Sequence, residues 1–168
     1  MTNPFQHATD SYGSVRPSYP RQAIDTILAG EKASEITIAD VGAGTGKLTA
    51  ELLERGAKVI AVEPAQAMRE QLVTLLGHDQ NVQVVDACAE ATGLPDASVD
   101  RAVFAQSWHW VDPQAAGQEM HRIVRPGGQL MIVWNQLDVT IPWVHRLTRI
   151  MRSGDVHRPD RPPTAGER

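Results

Sequence analysis

The sequence predicts an α/β domain built on a doubly wound, mostly parallel sheet. Three observations carry that expectation. Short apolar runs alternate with amphipathic stretches from Glu35 onward. The runs are continuously apolar, as strands covered on both faces are. The first run ends in the glycine-rich segment Asp40-Val41-Gly42-Ala43-Gly44-Thr45-Gly46.

Ile36-Thr37-Ile38-Ala39-Asp40-Val41 reads as the first strand, rich in β-branched residues. Thr45 to Arg55 reads as a helix, with Leu48, Leu52 and Leu53 at helical spacing and Gly56 as its stop. Lys58-Val59-Ile60-Ala61-Val62 is a second strand, and the helix from Ala65 to Leu76 carries Met68, Leu72, Leu75 and Leu76 on one side. Val82 to Asp86 is a third strand and Asp100 to Ala105 a fourth. A helix follows from Pro113 to Arg125, which Pro126-Gly127-Gly128 ends, and Gln129 to Trp134 is a fifth strand. Strands alternating with helices imply right-handed crossovers between parallel strands.

The ends differ from this core. Phe5, Ala8 and Tyr12 fall on one helix face within residues 1–22, and Arg16-Pro17-Ser18-Tyr19-Pro20 forces an extended stretch. Residues 152–168 are rich in Pro, Arg, Asp and Gly with almost nothing apolar, the composition of a disordered tail. The expected organisation is an N-terminal segment 1–22, a domain 23–151 and a tail 152–168.

A net charge of −4 counts against a nucleic-acid partner, which calls for a basic field matched to phosphate. Cys88 is the only cysteine, so an internal disulfide is impossible, and the six scattered histidines form no metal-ligand pair. No metal site is expected. The start has no basic region followed by an apolar run, and no stretch approaches a membrane span. Cytoplasmic residence is the default.

In a doubly wound sheet the ligand sits beyond the carboxyl ends of the strands, where strand order reverses. Gly42, Gly44 and Gly46 allow tight turns there and close approach of backbone N–H groups to a ligand. The following helix start suits a carboxylate or phosphate. The spacing separates three cofactor classes. A dinucleotide fingerprint counted from Gly42 puts Lys47 at its last glycine, which makes a nicotinamide oxidoreductase a poor fit. A phosphate-binding P-loop puts Val41 at its first glycine and Leu48 at its hydroxyl position. An acid closing the strand suits a ligand with both an amino group and a carboxylate, Asp40 near the ammonium and the glycine amides near the carboxylate. Glu63, closing the second strand before Pro64, is placed to accept two ribose hydroxyls, or else to start the helix that follows.

The stretch from Ile36 to Trp134 resembles class I S-adenosylmethionine-dependent methyltransferases of the small-molecule, type 11-like group. Asp40 to Gly46 matches the first motif of that family and Glu63-Pro64 the second. Val85-Asp86-Ala87-Cys88-Ala89-Glu90, with Leu94 to Asp100, resembles the third motif and the run into strand four. Arg122 to Gly128 matches the segment before strand five. Phe5, Ala8, Tyr12, Arg16-Pro17, Tyr19-Pro20 and Gln106-Ser107-Trp108-His109-Trp110 are similar to the trans-aconitate methyltransferase-like subgroup, in which the N-terminal segment is a lid over the cofactor.

The resemblance implies a Rossmann-like sheet of order 3-2-1-4-5 and S-adenosylmethionine as cofactor, with S-adenosylhomocysteine as product. It implies cofactor contacts from Asp40, Gly42, Ala43, Gly44, Gly46, Glu63, Pro64, Cys88, Ala89, Glu90 and Gln106, with Tyr12 and Tyr19 from the lid. Cys88 stands where much of the family has aspartate. That departure puts the side-chain hydrogen bond to the adenine amino group in question and leaves the Ala89 N–H to meet the ring.

Methyl transfer from a sulfonium needs alignment more than acid–base chemistry, and a carboxylate acceptor needs no base. A hydroxyl or amine acceptor calls for one, and His109 is the candidate, flanked by Trp108 and Trp110, which wall a pocket or pack the strand-to-helix corner. Arg16 binds an acidic substrate or pairs with a surface acid. Family members continue past strand five with a helix and two more strands. Here Thr140 to Met151 starts that helix, with Ile141, Trp143, Val144, Leu147 and Ile150 as its apolar side, and the pattern then dissolves. The expectation is a C-terminally shortened chain with strand five as an exposed apolar edge. The leading reading is a methyltransferase acting on a small molecule, such as a carboxylic acid. The alternative is a catalytically weak cofactor-binding domain that forms a homodimer or pairs with another chain along that edge.

Overall fold

β1 (Thr37–Val41), β2 (Lys58–Val62), β3 (Val82–Val85), β4 (Val99–Ala105) and β5 (Val124–Val133) form one parallel sheet in the order β3-β2-β1-β4-β5. This is the strand order that the family resemblance implied. The computed structural model describes residues 18–151. The readings placed on Phe5, Ala8, Tyr12, Arg16 and Pro17, and on residues 152–168, lie outside the described residues. Those described divide into two compact units, one ending at Val133 and one beginning at Trp134.

In the first unit the helices are α1 (Arg21–Leu28), α2 (Lys47–Glu54), α3 (Gln66–Leu76) and α4 (Pro113–Ile123). Alternation along the strands sorts the core into two clusters. Ile38, Val59 and Val103 pack with Ile24, Ile27 and Leu28 of α1 and Leu48 and Leu52 of α2. Ala39, Val41, Ala102 and Phe104 pack with Ala116, Met120 and Ile123 of α4. Both faces of the sheet are therefore covered, and burying an aliphatic or aromatic side chain of this size contributes about 1.5–3 kcal/mol.

α1 was not assigned from the sequence, yet Ile24, Ile27 and Leu28 are spaced for one helix face and are buried. It starts after Pro20 and stops where Ala29 turns left-handed, at φ +48°. On α3, Met68 and Leu72 are buried as expected, whereas Leu75 is 60% exposed. Leu76 instead turns inward, against the start of α2.

α4 ends at Ile123, two residues before the expected Arg125. Val124 already pairs with Val99, and pairing then jumps to Arg101 with Gln129, so Arg125 to Gly128 bulge out of β5. A Cβ on Gly128 would meet the Asp100 carbonyl at 2.5 Å, which explains the glycine. Asp100 binds the strand starts together: its Oδ2 accepts from the Thr37 N–H at 2.7 Å and its Oδ1 pairs with Arg125 at 2.7 Å.

The second unit contains α5 (Pro142–Met151). Val144 is buried, while Ile141, Trp143 and Leu147 are exposed, so these apolar residues do not share one buried face. Among the described residues no helix is long and apolar enough to cross a membrane.

Candidate functional site

β1 is followed on one side by β2 and β3, and the chain then returns to lay β4 on its other side. That reversal of strand order falls at the carboxyl ends of β1 and β4, the ligand position of doubly wound sheets. The glycine turn and Gln106-Ser107 stand at that point. Gln106 has φ +61°, a left-handed conformation that costs a non-glycine residue about 1–2 kcal/mol. Its N–H donates to the Val133 carbonyl at 2.9 Å, which fixes the strained corner to β5.

The three glycines have different roles. A Cβ on Gly42 (φ +74°) would lie 2.5 Å from Ser107 Cβ. A Cβ on Gly46 (φ +87°) would lie 2.9 Å from Leu76 Cδ1 and 3.0 Å from Leu72 Cγ, so its absence lets α2 and α3 approach. A Cβ on Gly44 (φ +59°) would meet nothing nearer than Met68 Sδ at 3.8 Å. Gly42 and Gly46 serve packing; at Gly44 a Cβ would make only an ordinary contact, and the left-handed backbone is what asks for glycine.

The glycine amides expected near the ligand's carboxylate are paired within the chain. The N–H groups of Gly42 and Ala43 both donate to the Val62 carbonyl, at 2.8 and 3.1 Å, and that of Gly46 donates to the Ala43 carbonyl at 3.0 Å. The Gly44 N–H donates to Glu63 Oε2 at 2.8 Å. Parallel pairing of β1 with β2 carries Val62 under the turn, so its carbonyl takes these donors. What the glycines supply is room and shape.

Two carboxylates lie under the turn. Asp40 is 1% exposed; its Oδ2 accepts from Thr49 Oγ1 at 2.6 Å, and its Oδ1 has no hydrogen-bond partner. Burial pushes the Asp40 carboxyl up to about 6, against the Thr49 hydrogen bond, and the neighbouring Glu63 charge adds to the rise. Glu63 is 5% exposed, and its Oε1 accepts from the Ala65 N–H at 2.8 Å, so it also starts α3, as the alternative reading had it. Burial raises its carboxyl too, against the Ala65 and Gly44 N–H bonds. A carboxylate has about four acceptor positions, so the Gly44 and Ala65 N–H groups use two of those on Glu63.

The other sequence candidates surround this centre. Pro64 is exposed after β2, Cys88 is exposed, Ala89 is buried and Glu90 is half-buried. Glu90 Oε1 accepts from the Asp112 N–H at 2.9 Å, tying the loop after β3 to the start of α4. Asp112 caps that helix by accepting from the Gln114 and Ala115 N–H groups, with Pro113 as its first residue. Trp108 stands edge-on to Phe104, centroids 4.8 Å apart, and packs on the core. His109 and Trp110 are exposed with rings 4.8 Å apart. Tyr19 is half-buried and packs against the α1 and α2 cluster.

Sequence reading assigned no role to Thr49, Ser107 or Glu119, although Ser107 lies within the quoted segment Gln106 to Trp110. The first two sit at helical or turn positions with no spacing signal of their own. Glu119 holds the loop after β3: it accepts from the buried Thr92 through both N–H and hydroxyl, and pairs with Arg122 at 2.7 Å. The Arg122 guanidinium holds the Glu119 carboxyl at about 2, below its ordinary 4.5. Glu119→Ala should destabilise the fold by about 1–3 kcal/mol at pH 7, because Thr92 is left with unpaired buried donors. A depressed carboxyl stabilises above its unfolded pKa, so the difference in urea denaturation should narrow as pH falls from 4.5 toward 2. A gap that stays constant over that range contradicts this account. Among the described residues no group of three His, Cys, Asp or Glu side chains is placed to hold a metal.

A parallel sheet with a glycine turn and two acids at its switch point defines an α/β protein that binds a nucleoside cofactor. Comparison makes this specific. Residues 39–132 match the methyltransferase domain family. An uncharacterized methyltransferase of Mycobacterium tuberculosis is 45% identical over 156 residues, 92% of this chain and 62% of that protein. An uncharacterized methyltransferase-like protein of Schizosaccharomyces pombe is 34% identical over 88% of this chain and 57% of its own length. The crystal structure of an S-adenosylmethionine-dependent methyltransferase from Aquifex aeolicus superposes with a TM-score of 0.61 at 26% identity, covering 71% of this chain and 65% of that one. The chain belongs to the methyltransferase domain family, the class I S-adenosylmethionine-dependent methyltransferases. It spans about three fifths of the length of its Mycobacterium relative.

Proposed function

We propose that the chain binds S-adenosylmethionine at the β1 turn and transfers its methyl group to a small-molecule acceptor, a carboxylic acid being the class that needs no base. The observation that carries this is the pair of buried acids beneath the glycine turn at the switch point, Asp40 with an unpartnered Oδ1 and Glu63 held by the Gly44 N–H. The residues fit the cofactor. The unpartnered Asp40 Oδ1 suits its ammonium, Glu63 its ribose hydroxyls, and Ala89 and Cys88 the adenine side. Bound there, the cofactor supplies a methyl group on a sulfonium, a good leaving group. The chain's own task is to hold donor and acceptor in line, which supplies about 7–11 kcal/mol. The mildly acidic charge supports a small acceptor over nucleic acid.

Calorimetry with S-adenosylhomocysteine tests the binding claim; no heat at high protein concentration removes it. Gly44→Val should weaken binding at least about tenfold, since a β-branched residue is strained at φ +59° and shifts the turn. A methyl-donor assay with His109→Ala then separates acceptor classes. A rate kept within about twofold marks a carboxylate acceptor, and a fall of about a hundredfold marks a base-dependent hydroxyl or amine.

A second reading has its own observation. β5 is the edge of the sheet, with Leu130 43% exposed and Met131, Ile132 and Val133 only half-buried. Such an edge suits pairing with a second strand. A stable oligomer by size-exclusion chromatography, without methyl transfer, favours a binding domain that works through this edge.

A further inference from the structure

We infer that Thr49 is a positioning residue for the cofactor's ammonium: its hydroxyl occupies Asp40 Oδ2 and so reserves Asp40 Oδ1 for the ligand. The inference rests on the binding reading above and extends it to a residue on the helix behind the turn.

Thr49 is 0% exposed, lies in the first turn of α2 and points to Asp40 of β1. A buried hydroxyl in a helix usually bonds to the carbonyl four residues back or points to solvent. Here it donates to Asp40 Oδ2 at 2.6 Å, the length of a charge-assisted bond. One oxygen is therefore fixed from behind, and the other is buried without a partner. An unpartnered carboxylate oxygen in such a place is costly unless a ligand group completes it. Among the recognisable parts of a nucleoside amino acid, the ammonium is the one whose charge answers it.

Among the described residues the charge that acts on Asp40 is an acid, not a cation. β2 and β4 present Ala61 and Val103 level with Asp40, neither of them ionisable. The ionisable group that acts on Asp40 is Glu63, at the end of β2, and its like charge disfavours ionisation. Glu63 is itself held by the Gly44 and Ala65 N–H groups, and its backbone carbonyl accepts from Arg69 at 2.9 Å. The Thr49 hydroxyl, helped by its backbone N–H, is what favours the carboxylate form against burial and Glu63. Loss of the hydroxyl makes Asp40 harder to ionise, and a neutral Asp40 offers the ammonium no charge.

The test is calorimetric titration of the full chain with S-adenosylhomocysteine at pH 6 and pH 8.5, for wild type, Thr49→Val and Thr49→Ser. Thr49→Val should bind about tenfold more weakly at pH 6, with the gap closing toward pH 8.5, because each tenfold is one pKa unit of carboxylate ionisation. Thr49→Ser should restore the wild-type profile. A Thr49→Val loss equal at both pH values marks a merely structural residue and overturns the inference, as does no loss. Wild-type binding with no variant effect overturns the inference alone, whereas no wild-type binding removes the reading beneath it as well. A crystal structure of wild type with the same ligand decides independently of how the variants fold. The ammonium should lie on Asp40 Oδ1 with Thr49 still on Oδ2, and an ammonium elsewhere overturns the proposal.

Discussion

Asp40→Asn should give a protein that unfolds at higher temperature near pH 7 and no longer holds S-adenosylhomocysteine. Asp40 is fully enclosed, and its carboxyl is lifted from 3.8 to about 6. Keeping it ionised at neutral pH therefore costs the fold on the order of 3 kcal/mol. The sign follows from proton binding: between pH 4 and pH 6 the folded state holds a proton that the unfolded state has released. Stability contributed by this group thus falls as pH rises through that window and stays low above it. An amide carries no such cost and still accepts from Thr49, although its NH2 is left without an acceptor, which takes back ~1–2 kcal/mol. A net gain of about 1–2 kcal/mol at pH 7 should vanish by pH 4. Binding should fall at least about a hundredfold, because the charge that answers the ammonium is gone. Thermal denaturation at pH 4 and pH 7.5 beside calorimetry checks both halves. A variant that is less stable at pH 7.5, or that still binds, refutes the assignment of Asp40 as a group kept for the ligand at the expense of stability.

That trade shows where sequence reading reached its limit. The strands, the glycine turn and the two acids were legible because each has a local signature: continuous apolar runs, glycine spacing, an acid closing a strand. The strand order came only with the family resemblance. The hydrogen bonds that the turn makes were not. They depend on the register of β1 against β2, which sets the Val62 carbonyl beneath Gly42 and Ala43. Nothing within seven residues of sequence encodes that acceptor, so the amides read as free donors for a ligand when they are already committed. Ser107 was equally silent, since its role arises only when β4 is laid beside β1. The end of α4 shows the same cause on a smaller scale. Pro126-Gly127-Gly128 is the stronger local stop, but cross-strand pairing of Val124 with Val99 ends the helix earlier. α1 was passed over for a different reason: the prolines before it dominate the local pattern, although its three buried aliphatic residues are in helical register.

Gly42→Ala is the substitution expected to damage the fold most, and its partner residue makes the cause testable. The added Cβ would lie 2.5 Å from Ser107 Cβ and 2.9 Å from Ser107 Oγ. Ser107 has no room to retreat. Its hydroxyl donates to the Val41 carbonyl at 2.6 Å, and the strained Gln106 before it is fastened to Val133. The left-handed backbone at Gly42 adds about 1–2 kcal/mol and the overlap about 1–3 kcal/mol. A loss of ~3 kcal/mol is a large fraction of the 5–15 kcal/mol that a domain typically has. Gly44→Ala, with a similar backbone angle and no overlap, should lose only about 1–2 kcal/mol. Pairing Gly42→Ala with Ser107→Gly removes the overlap and leaves the backbone strain. The double variant should therefore recover more than ~1 kcal/mol relative to the sum of the single changes, a coupling that independent sites do not show. Additive effects in denaturant melts would mean that β1 and β4 do not meet through this pair.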